Sequence, residues 1–556
     1  MDNHRTSGSD LPAGPTSDAG GPGPGRRRFM LMAGAAGAAA IAWPSLDALA
    51  SSRSARLDHP QAGPHRPEAR PAWLHRPEAG PTVADWEALR HHLSTRHLVR
   101  PGQRGYSQAK QLFDPQYDRL EPTGVAYCAT PGDVAACVTF ASRFRLPIRA
   151  RSGGHSYAGW SSVNGGLVVD VTGLNSYGVG NGTVKVGTGL GLIDFYSRLA
   201  RRGLAVPGGS CPTVGIAGLT LGGGIGVVGR NFGLTCDNLE AVQIVTANGD
   251  VLNCDSRTHS DLLWASKGGG GGNFGIATSF TFRSHRLSSL VLFFLSWPWS
   301  QARRVVDGWQ QWAPHAPNAL WSNLHLSAAP GGTEPTIGVG GTYIGSVGGA
   351  ARQLDRLYAL VGKPSSSFLG ENSYLQAMLV EAGCSGLSVP QCHTGMGGHL
   401  GRVPFFAKSD FFTHKLNSAG LSALLAGIER FQHVDAAAGA SGSIAFDASG
   451  GAINAVHPDA TAFVHRDTIF LAQYYTQWNS PGSARGIANQ HRWLRSYYNA
   501  VHPHASGQAY QNYIDPDLTN WRQAYYGANY ARLSRIKGRY DPHQLFTFPQ
   551  AITPPA

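Results

Sequence analysis

The chain has 556 residues, of which 42% are hydrophobic and 14% charged. This length and composition predict two or three packed domains and exclude a protein that is disordered over most of its length. The formal net charge is +12. However, no basic run follows the N-terminal region and no nucleic-acid-binding motif occurs, so the charge predicts a moderately basic enzyme surface. The absence of Cys-x-x-Cys and His-Glu-x-x-His spacings argues against a metal site.

The N-terminal region predicts an export signal followed by a linker. Arg26-Arg27-Arg28 precede an apolar run rich in Ala and Gly, and Ala48-Leu49-Ala50 forms a small-x-small cleavage site. Residues 1–50 therefore resemble a twin-arginine signal, with an ordinary secretory signal or an uncleaved tail as alternatives. The apolar run is too short and too weakly apolar for a stable membrane span. Residues 51–84, which repeat His-Arg-Pro-Glu-Ala, are expected to form a disordered linker.

Short strands and helices alternate after the linker. The first helix is expected from Trp86 to His92, and a strand at 125–127 precedes a helix that begins at Pro131. Further strands are predicted at 167–171 and 184–186, a helix at 190–201, and a hairpin with its turn at 247–250. Beyond about Ser288, strands at 290–295, 336–340 and 468–475 alternate with helices at 350–361 and 421–431. This second region predicts an antiparallel sheet with helices on one side.

The seven cysteines are an odd number, which fits one cysteine with a separate role. Cys384 and Cys392 close a short loop, and we expect them to pair in an oxidising compartment. The default interpretation of the others is that they are small buried hydrophobic residues.

Two glycine-dense motifs carry the chemical information. The first is Arg151-Ser152-Gly153-Gly154-His155-Ser156, and the second is Gly209-Ser210-Cys211-Pro212-Thr213-Val214-Gly215, followed by Gly218 and Gly222-Gly223-Gly224. Consecutive glycines let backbone N–H groups converge on an anion, and Arg151 adds positive charge. Alone, the first motif is either a phosphate cradle or a tight surface turn. Two such loops carrying one His and one Cys favour a binding site.

A third glycine pattern is a weaker match. Gly224-x-Gly226-x-x-Gly229, with Asp250 further along the chain, fits the dinucleotide fingerprint. The preceding residues, 217–223, are too rich in glycine for the strand that this fingerprint requires, and no convincing helix opens at the motif. We therefore reject a Rossmann-type NAD site.

His155 within R-S-G-G-H-S and Cys211 within C-P-T-V-G-I-A-G-L-T-L-G-G-G-I-G resemble the two flavin-attachment sites of the berberine bridge enzyme-like FAD-linked oxidases. This group belongs to the PCMH-type (vanillyl-alcohol-oxidase) superfamily. The resemblance runs from about Pro101 to Ile552 and is looser in the middle. It implies an α+β fold with a two-subdomain FAD-binding domain at 85–287 and a substrate domain at 288–504, built on an antiparallel sheet covered by helices. A C-terminal segment, 505–556, would return to the FAD domain.

The resemblance implies FAD held by two covalent bonds, from His155 to the 8α-methyl carbon and from Cys211 to C6 of the isoalloxazine. Judged alone, Cys211 would be a buried thiol. The other residues expected to bind the cofactor are Arg151, Ser152, Gly153, Gly154, Ser156, Gly209, Thr213, Val214, Gly215, Gly218, Gly222, Gly226, Asn273, Gly275 and Asn512.

The catalytic base of the family is a tyrosine in a Y-x-N-Y segment, which corresponds here to Tyr510-Gln511-Asn512-Tyr513. We favour Tyr513 over Tyr510. Because an unperturbed phenol has a pKa near ~10, the base needs a partner, and the sequence does not identify it. Either tyrosine is alternatively a core residue. His465 is expected either to face the substrate or to be a hydrogen-bonded structural residue.

Two positions refine the expected activity. Val214 stands where relatives that react well with oxygen carry valine, which favours an oxidase that forms hydrogen peroxide. Ile225 stands where several sugar-oxidising relatives carry a second active-site tyrosine, which weakens the case for a simple hexose substrate. The prediction is an exported oxidase that acts on an alcohol, of saccharide or secondary-metabolite type, with the small-molecule substrate and oxygen as partners and no nucleic acid. The alternatives are a flavin dehydrogenase with another acceptor and a catalytically silent glycan-binding protein.

Overall fold

The computed structural model describes residues 80–395 and 397–555. The predicted export signal and almost all of the predicted linker lie outside these residues. The first helix, α1 (Val83–His92), begins three residues before the predicted Trp86, because Thr82 and Asp85 form a capping box at its N-terminus. Between residues 80 and 395 and from 397 to 555, no helix is both long and apolar enough to cross a membrane.

A four-stranded sheet forms the first layer and is parallel at its centre. Its strands are β1 (Leu98–Val99), β2 (Gly124–Tyr127), β3 (Ile148–Arg151) and β4 (Leu167–Asp170), in the order β1-β2-β4-β3. The short helix α2 (Tyr106–Ala109) follows β1, and α3 (Pro131–Phe144) connects β2 to β3. The predicted strands and the helix start at Pro131 are confirmed. The first glycine motif begins at the end of β3.

The second sheet is antiparallel and has five strands, in the order β5-β6-β10-β8-β9. They are β5 (Tyr177–Val179), β6 (Thr183–Gly187), β8 (Leu239–Val245), β9 (Val251–Cys254) and β10 (Ile276–Arg283), while β7 (Leu204–Ala205) pairs with β11 (His285–Arg286). The helices here are α4 (Leu192–Ala200), α5 (Ile216–Leu221), α6 (Gly229–Phe232) and α7 (Ser260–Ala265). The predicted hairpin is the β8–β9 pair. The residues before the rejected dinucleotide motif form helix α5 and not a strand.

The third sheet has seven antiparallel strands, in the order β15-β12-β14-β13-β17-β18-β16. They are β12 (Ser289–Trp297), β13 (Leu320–Ala328), β14 (Thr336–Tyr343), β15 (Ser366–Ser373), β16 (Phe405–Phe412), β17 (Ser441–Ala448) and β18 (Phe470–Gln477). One face packs against α8 (Ala302–Trp312), α9 (Val347–Val361), α11 (Ser418–Phe431) and α12 (Ala484–Val501) in a single hydrophobic core. The predicted antiparallel sheet is confirmed and most of its helices lie on one side, but the helix Tyr374–Glu381 packs against β12 and β15 on the other face.

The C-terminal residues pack back onto the first half of the chain. After α13 (Trp521–Tyr526) and α14 (Tyr530–Tyr540), the Lys537 ammonium donates to the backbone carbonyl of Asn273 at 2.6 Å and pairs with Asp541 at the same distance. The backbone N–H of Ile552 donates to the side chain of Asn273 at 2.9 Å. These contacts fix the glycine-rich loop 268–275. The domain boundaries given above stay predictions.

One further helix, α10 (Tyr374–Glu381), leads into a disulfide between Cys384 and Cys392. The predicted cysteine pairing is therefore present. Cys128, Cys137, Cys236 and Cys254 are buried, as the default interpretation expects, while Cys211 is only partly buried.

Candidate active site

A cavity of about 290 Å³ lies where the three sheets meet. Both glycine motifs line it, together with residues 271–272 of the glycine-rich loop and residues 510–514 of the C-terminal segment. The face of the seven-stranded sheet opposite its four-helix layer contributes Trp321, Asn323 and Asp447. The cavity thus brings together parts of the chain that are hundreds of residues apart in sequence, which is typical of a ligand site.

The two glycine motifs pack directly against each other, and this contact requires glycine. A Cβ atom on Gly153 would lie 2.4 Å from the backbone nitrogen of Gly215 and 2.5 Å from the carbonyl oxygen of Thr213. The second motif is held in place by the start of α4, where the backbone N–H of Leu192 donates to the carbonyl of Val214 at 3.0 Å. Backbone therefore approaches backbone on one wall of the cavity.

His155 and Cys211 both line this cavity. Nε2 of His155 lies 2.9 Å from Oγ1 of Thr213, and its ring stacks on Phe113 with 3.9 Å between centroids. Burial lowers the pKa of His155 to about 3, so its imidazole is neutral. Burial raises the pKa of Cys211 to about 11, so it is a thiol at neutral pH. The pair places one neutral nitrogen nucleophile and one sulfur nucleophile beside the same space.

Most of the predicted cofactor-binding residues lie at the cavity wall. Besides His155 and Cys211, these are Ser152, Gly153, Gly154, Ser156, Gly209, Val214, Gly215, Gly218, Gly226, Gly275 and Asn512. Four predicted residues, Arg151, Thr213, Gly222 and Asn273, do not line it.

Arg151 requires a correction. Its Nε donates to Asp170 at 2.6 Å and its Nη1 to the backbone carbonyl of Ala109 at 2.7 Å, and the side chain is buried. The positive charge that we assigned to the anion-binding nest is instead neutralised by a buried ion pair with Asp170. Arg149, two residues earlier, lines the cavity.

The other three residues outside the wall support residues that line it. Thr213 contacts His155, as described above. A Cβ on Gly222 would lie 2.0 Å from Oδ1 of Asn512, so glycine is needed for this close approach. Asn273 donates to the backbone carbonyl of Gly269 at 3.1 Å and thereby shapes the glycine-rich loop.

The two candidate tyrosines differ in their surroundings. The Tyr510 hydroxyl oxygen accepts hydrogen bonds from the backbone N–H groups of Gly224 at 2.9 Å and Ile225 at 3.3 Å, and from the Asn512 amide at 2.9 Å. Tyr513 stacks on Tyr157 with 5.2 Å between ring centroids. Both Tyr510 and Tyr513 line the cavity. Burial raises the pKa of Tyr510 to about 12, and it also raises that of Tyr513.

Two protein-family models match parts of this chain. The model of the FAD binding domain matches residues 122–255, and the model described as "Berberine and berberine like" matches residues 509–553. The uncharacterized FAD-linked oxidoreductase YvdP of Bacillus subtilis is 32% identical over 465 residues, which cover 83% of this chain and 98% of that protein.

The chain belongs to the berberine bridge enzyme-like family of FAD-linked oxidoreductases.

Other members of the berberine bridge enzyme-like family are similar in sequence or structure. The chitooligosaccharide oxidase of Gibberella zeae is 28% identical, over 79% of this chain and 88% of that enzyme. The solved structure of BBE-like 1 from Physcomitrella patens matches with a TM-score of 0.75 at 29% identity, over 83% of this chain and 97% of that chain. The protein is therefore an FAD oxidoreductase with the family's PCMH-type fold.

The cavity fits the FAD that the berberine bridge enzyme-like family uses. Gly218 and Gly271 line it, and a Cβ added at Gly218 would meet no atom within 4 Å, so it would project into the space that a cofactor needs. His155 and Cys211 also line the cavity, where they present an imidazole nitrogen and a thiol sulfur. Glycine at these positions leaves a cradle that larger side chains would fill.

Sequence reasoning missed one acidic member of the site and its neighbours. Asp447 on β17 stands directly opposite Asn323 on β13, and Trp321 is two residues from Asn323 on the same strand face. Burial raises the pKa of Asp447 to about 7. A lone aspartate within the apolar run Ile444 to Ala448 was the available signal, since a buried strand rarely contains a carboxylate.

His465 is buried away from the cavity. Its Nδ1 lies 2.6 Å from Oε1 of Gln508, and its ring stacks on Phe411 with 4.3 Å between centroids. Of the two interpretations of His465, these contacts favour the structural one.

Proposed function

We propose that this protein is an exported oxidase that carries bicovalently bound FAD, oxidises an alcohol of a saccharide-like substrate and transfers the electrons to oxygen. The observation that carries the proposal is the convergence of His155, Cys211 and Tyr513 on one cavity. When bound, FAD supplies the acceptor for the hydride that leaves the substrate carbon, and its reoxidation by oxygen gives hydrogen peroxide.

The protonation states of His155 and Cys211 bear on how each side chain would form its bond to FAD. Because Thr213 occupies Nε2 of His155, the nitrogen left for the 8α-methyl carbon is Nδ1. The depressed pKa keeps a lone pair available on the imidazole at neutral pH. Cys211 must lose its proton to bond to C6, and burial raises its pKa, which disfavours the thiolate at neutral pH.

Tyr513 and Asp447 together handle the proton of the substrate hydroxyl. The pKa of Tyr513 is raised by burial and by nearby groups that include Tyr157 and Asp447, so the phenol does not ionise by itself at neutral pH. Asp447 lines the same cavity, and its pKa of about 7 makes it a stronger base than an exposed carboxylate. We assign Tyr513 as the group that takes the substrate proton and Asp447 as the carboxylate that receives it from Tyr513.

Tyr510 has a different role in this proposal. Three N–H groups donate to its hydroxyl oxygen, and they tie it to the loop that contains Gly224 and Ile225. Burial outweighs these donors and holds the pKa of Tyr510 at about 12, so its phenol is neutral at neutral pH. Because these bonds tie Tyr510 to the loop, we assign Tyr510 to positioning the loop and Tyr513 to the proton transfer.

The sheet wall of the cavity supports a hydroxyl-rich substrate. Nε1 of Trp321 is buried and has no hydrogen-bond partner in the part of the chain that the structure describes. The side-chain oxygen of Asn323 accepts from the backbone N–H of Gly340 at 3.1 Å, which leaves its NH₂ group for a ligand. Two donors beside the Asp447 acceptor complement the hydroxyl and ring oxygens of a sugar. The similarity to a chitooligosaccharide oxidase points to the same class.

Two further features support the oxygen acceptor and the export. Val214 lines the cavity, and its small side chain leaves more room for oxygen than leucine or isoleucine would. The Cys384–Cys392 disulfide fits an oxidising compartment outside the cytoplasm.

Acid precipitation of the purified, denatured protein tests the proposal. A yellow pellet is expected for the unmodified chain, for His155→Ala and for Cys211→Ala, and a colourless pellet only for the double variant. Cys254→Ala, which changes a buried cysteine away from the cavity, is the matched control. Flavin that appears only in the supernatant of the unmodified protein would disprove covalent attachment. Anaerobic flavin reduction by saccharides without later peroxide release in air would favour the dehydrogenase.

A further inference from the structure

The cavity contains one unpaired basic side chain. Arg149 is the only Lys or Arg among the described residues that line it. Its Nη1 donates to the backbone carbonyl of the adjacent Ile148 at 2.8 Å, while its Nε is buried and has no hydrogen-bond partner in residues 80–395 and 397–555. Burial alone lowers the pKa of Arg149 to about 10, with no carboxylate acting on it, so the guanidinium stays charged at neutral pH.

The contrast with Arg151 shows why this charge is uncompensated. Both arginines lie on β3, two residues apart, and therefore point to the same face of the strand. The register of β3 on β4 sets Arg151 beside Asp170 but sets Arg149 beside Val168. A buried charge without a partner is costly, and a ligand anion removes that cost.

The cavity has two ends with different chemistry. At one end, Ile148 and Phe546 line it and belong to the hydrophobic cluster of the four-stranded sheet. At the other end, Tyr510, Tyr513 and Ile225 line it and belong to a separate cluster. Arg149 is next to Ile148 on the same strand, so its backbone lies at the end away from the tyrosines, and its side chain also lines the cavity. The glycines of the nest lie between Arg149 and His155 along the chain.

We propose that Arg149 binds the diphosphate of FAD, and that it supplies the positive charge that the sequence alone had assigned to Arg151. This inference rests on the proposed FAD site and adds to it the residue that recognises the anionic part of the cofactor. The diphosphate carries two negative charges, and a guanidinium pairs with phosphate oxygens through directed N–H groups. The Ser152–Gly154 nest would contribute backbone N–H groups to the same anion.

The test separates the anionic part of FAD from its ring. In the full-length chain with His155→Ala and Cys211→Ala, flavin binds without a covalent bond, and dissociation constants are measured by quenching of flavin fluorescence. Arg149→Gln is expected to weaken FAD binding by about tenfold or more, since a charge-assisted pair is lost. Binding of riboflavin, which lacks the diphosphate, is expected to stay unchanged. Arg149→Lys should recover part of the FAD affinity, and Arg202→Gln, an exposed arginine outside the cavity, should have no effect.

Salt gives an independent readout of the same contact. Raising the salt concentration should weaken FAD binding to the Arg149 parent more than to the Arg149→Gln variant, because screening acts on the charge pair. Equal FAD affinities for the two proteins would overturn the inference and leave the FAD site intact. Failure of the parent to bind FAD would overturn both.

A measurement on the otherwise unmodified chain covers the case in which the double variant does not fold. The amount of covalent flavin per protein, measured after acid precipitation, is compared for the unmodified chain, Arg149→Gln and Arg149→Lys. A lower flavin content in Arg149→Gln, restored by FAD added during expression or by lysine, is the expected result. Equal flavin content in all three proteins would contradict the role of Arg149.

Discussion

The pKa of Asp447 predicts how the rate of flavin reduction depends on pH. Burial raises this pKa to about 7, so the carboxylate is present in about one molecule in ten at pH 6 and in about nine in ten at pH 8. If the ionised form must receive the proton from Tyr513, the rate rises about tenfold between these two pH values. The rate rises with pH because the active form is the ionised carboxylate. Since burial raises the pKa of Asp447, this carboxylate is lost by protonation already as the pH falls through the neutral range.

Asp447→Asn removes the proton acceptor and keeps the shape of the side chain. We expect the rate of anaerobic flavin reduction, followed by stopped-flow absorbance with saturating substrate, to fall by about 10²–10⁴-fold, and the rise between pH 6 and 8 to disappear. Glu381→Gln is the matched control. Glu381 is also a buried carboxyl, with a pKa raised to about 8 by burial and by the charge of Asp447, but it does not line the cavity.

The control variant should therefore keep the rise in rate between pH 6 and 8. A rate that does not change with pH in the unmodified protein would refute the assignment. So would an Asp447→Asn variant that retains the tenfold rise, since another group would then be the proton acceptor.

Three further substitutions test other contacts. Tyr510→Phe leaves two backbone N–H groups without an acceptor, so urea unfolding should show a loss of about 1–3 kcal/mol, while flavin reduction keeps its pH dependence. Arg151→Met leaves the buried Asp170 without its cation and should cost about 3–5 kcal/mol in the same assay; a loss below 1 kcal/mol would contradict the buried pair. Gly153→Ala should abolish covalent flavin in the acid pellet, because its Cβ clashes with backbone, whereas Gly178→Ala, with open space around it, should not; a yellow pellet from Gly153→Ala would contradict the packing of the two loops.

Much of the fold is predictable because it depends on local pattern. The apolar residues of β4, β6 and β12 alternate or form short runs, and both patterns are typical of strands. Pro131 predicts a helix start because its fixed backbone angle suits the first helical turn. The ends of elements were less certain. Helix α1 begins at Val83 because the capping pair Thr82 and Asp85 satisfies its first N–H groups, a detail that hydrophobic periodicity does not contain.

Some residues of the candidate site could likewise be predicted from the sequence, and others could not. His155, Cys211 and the Tyr510–Tyr513 segment were identified by motif, since each is embedded in a distinctive run of residues. Asp447 and Trp321 were missed, because each belongs to an ordinary strand whose function depends on what lies opposite. Strand pairing across more than a hundred residues is a property of the tertiary structure, and it brings Asp447 beside Asn323.

The sequence by itself determined the two glycine motifs, their order and the nucleophile that each carries, because these depend on residue types at fixed spacing. Two arginines, Arg149 and Arg151, occur beside the nest, but the motif drew attention only to Arg151. Only the tertiary structure decided which of the two arginines lines the cavity. The register of β3 on β4 gives Arg151 a carboxylate partner and gives Arg149 a valine, so the buried ion pair neutralises one cation and leaves the other at the cavity wall.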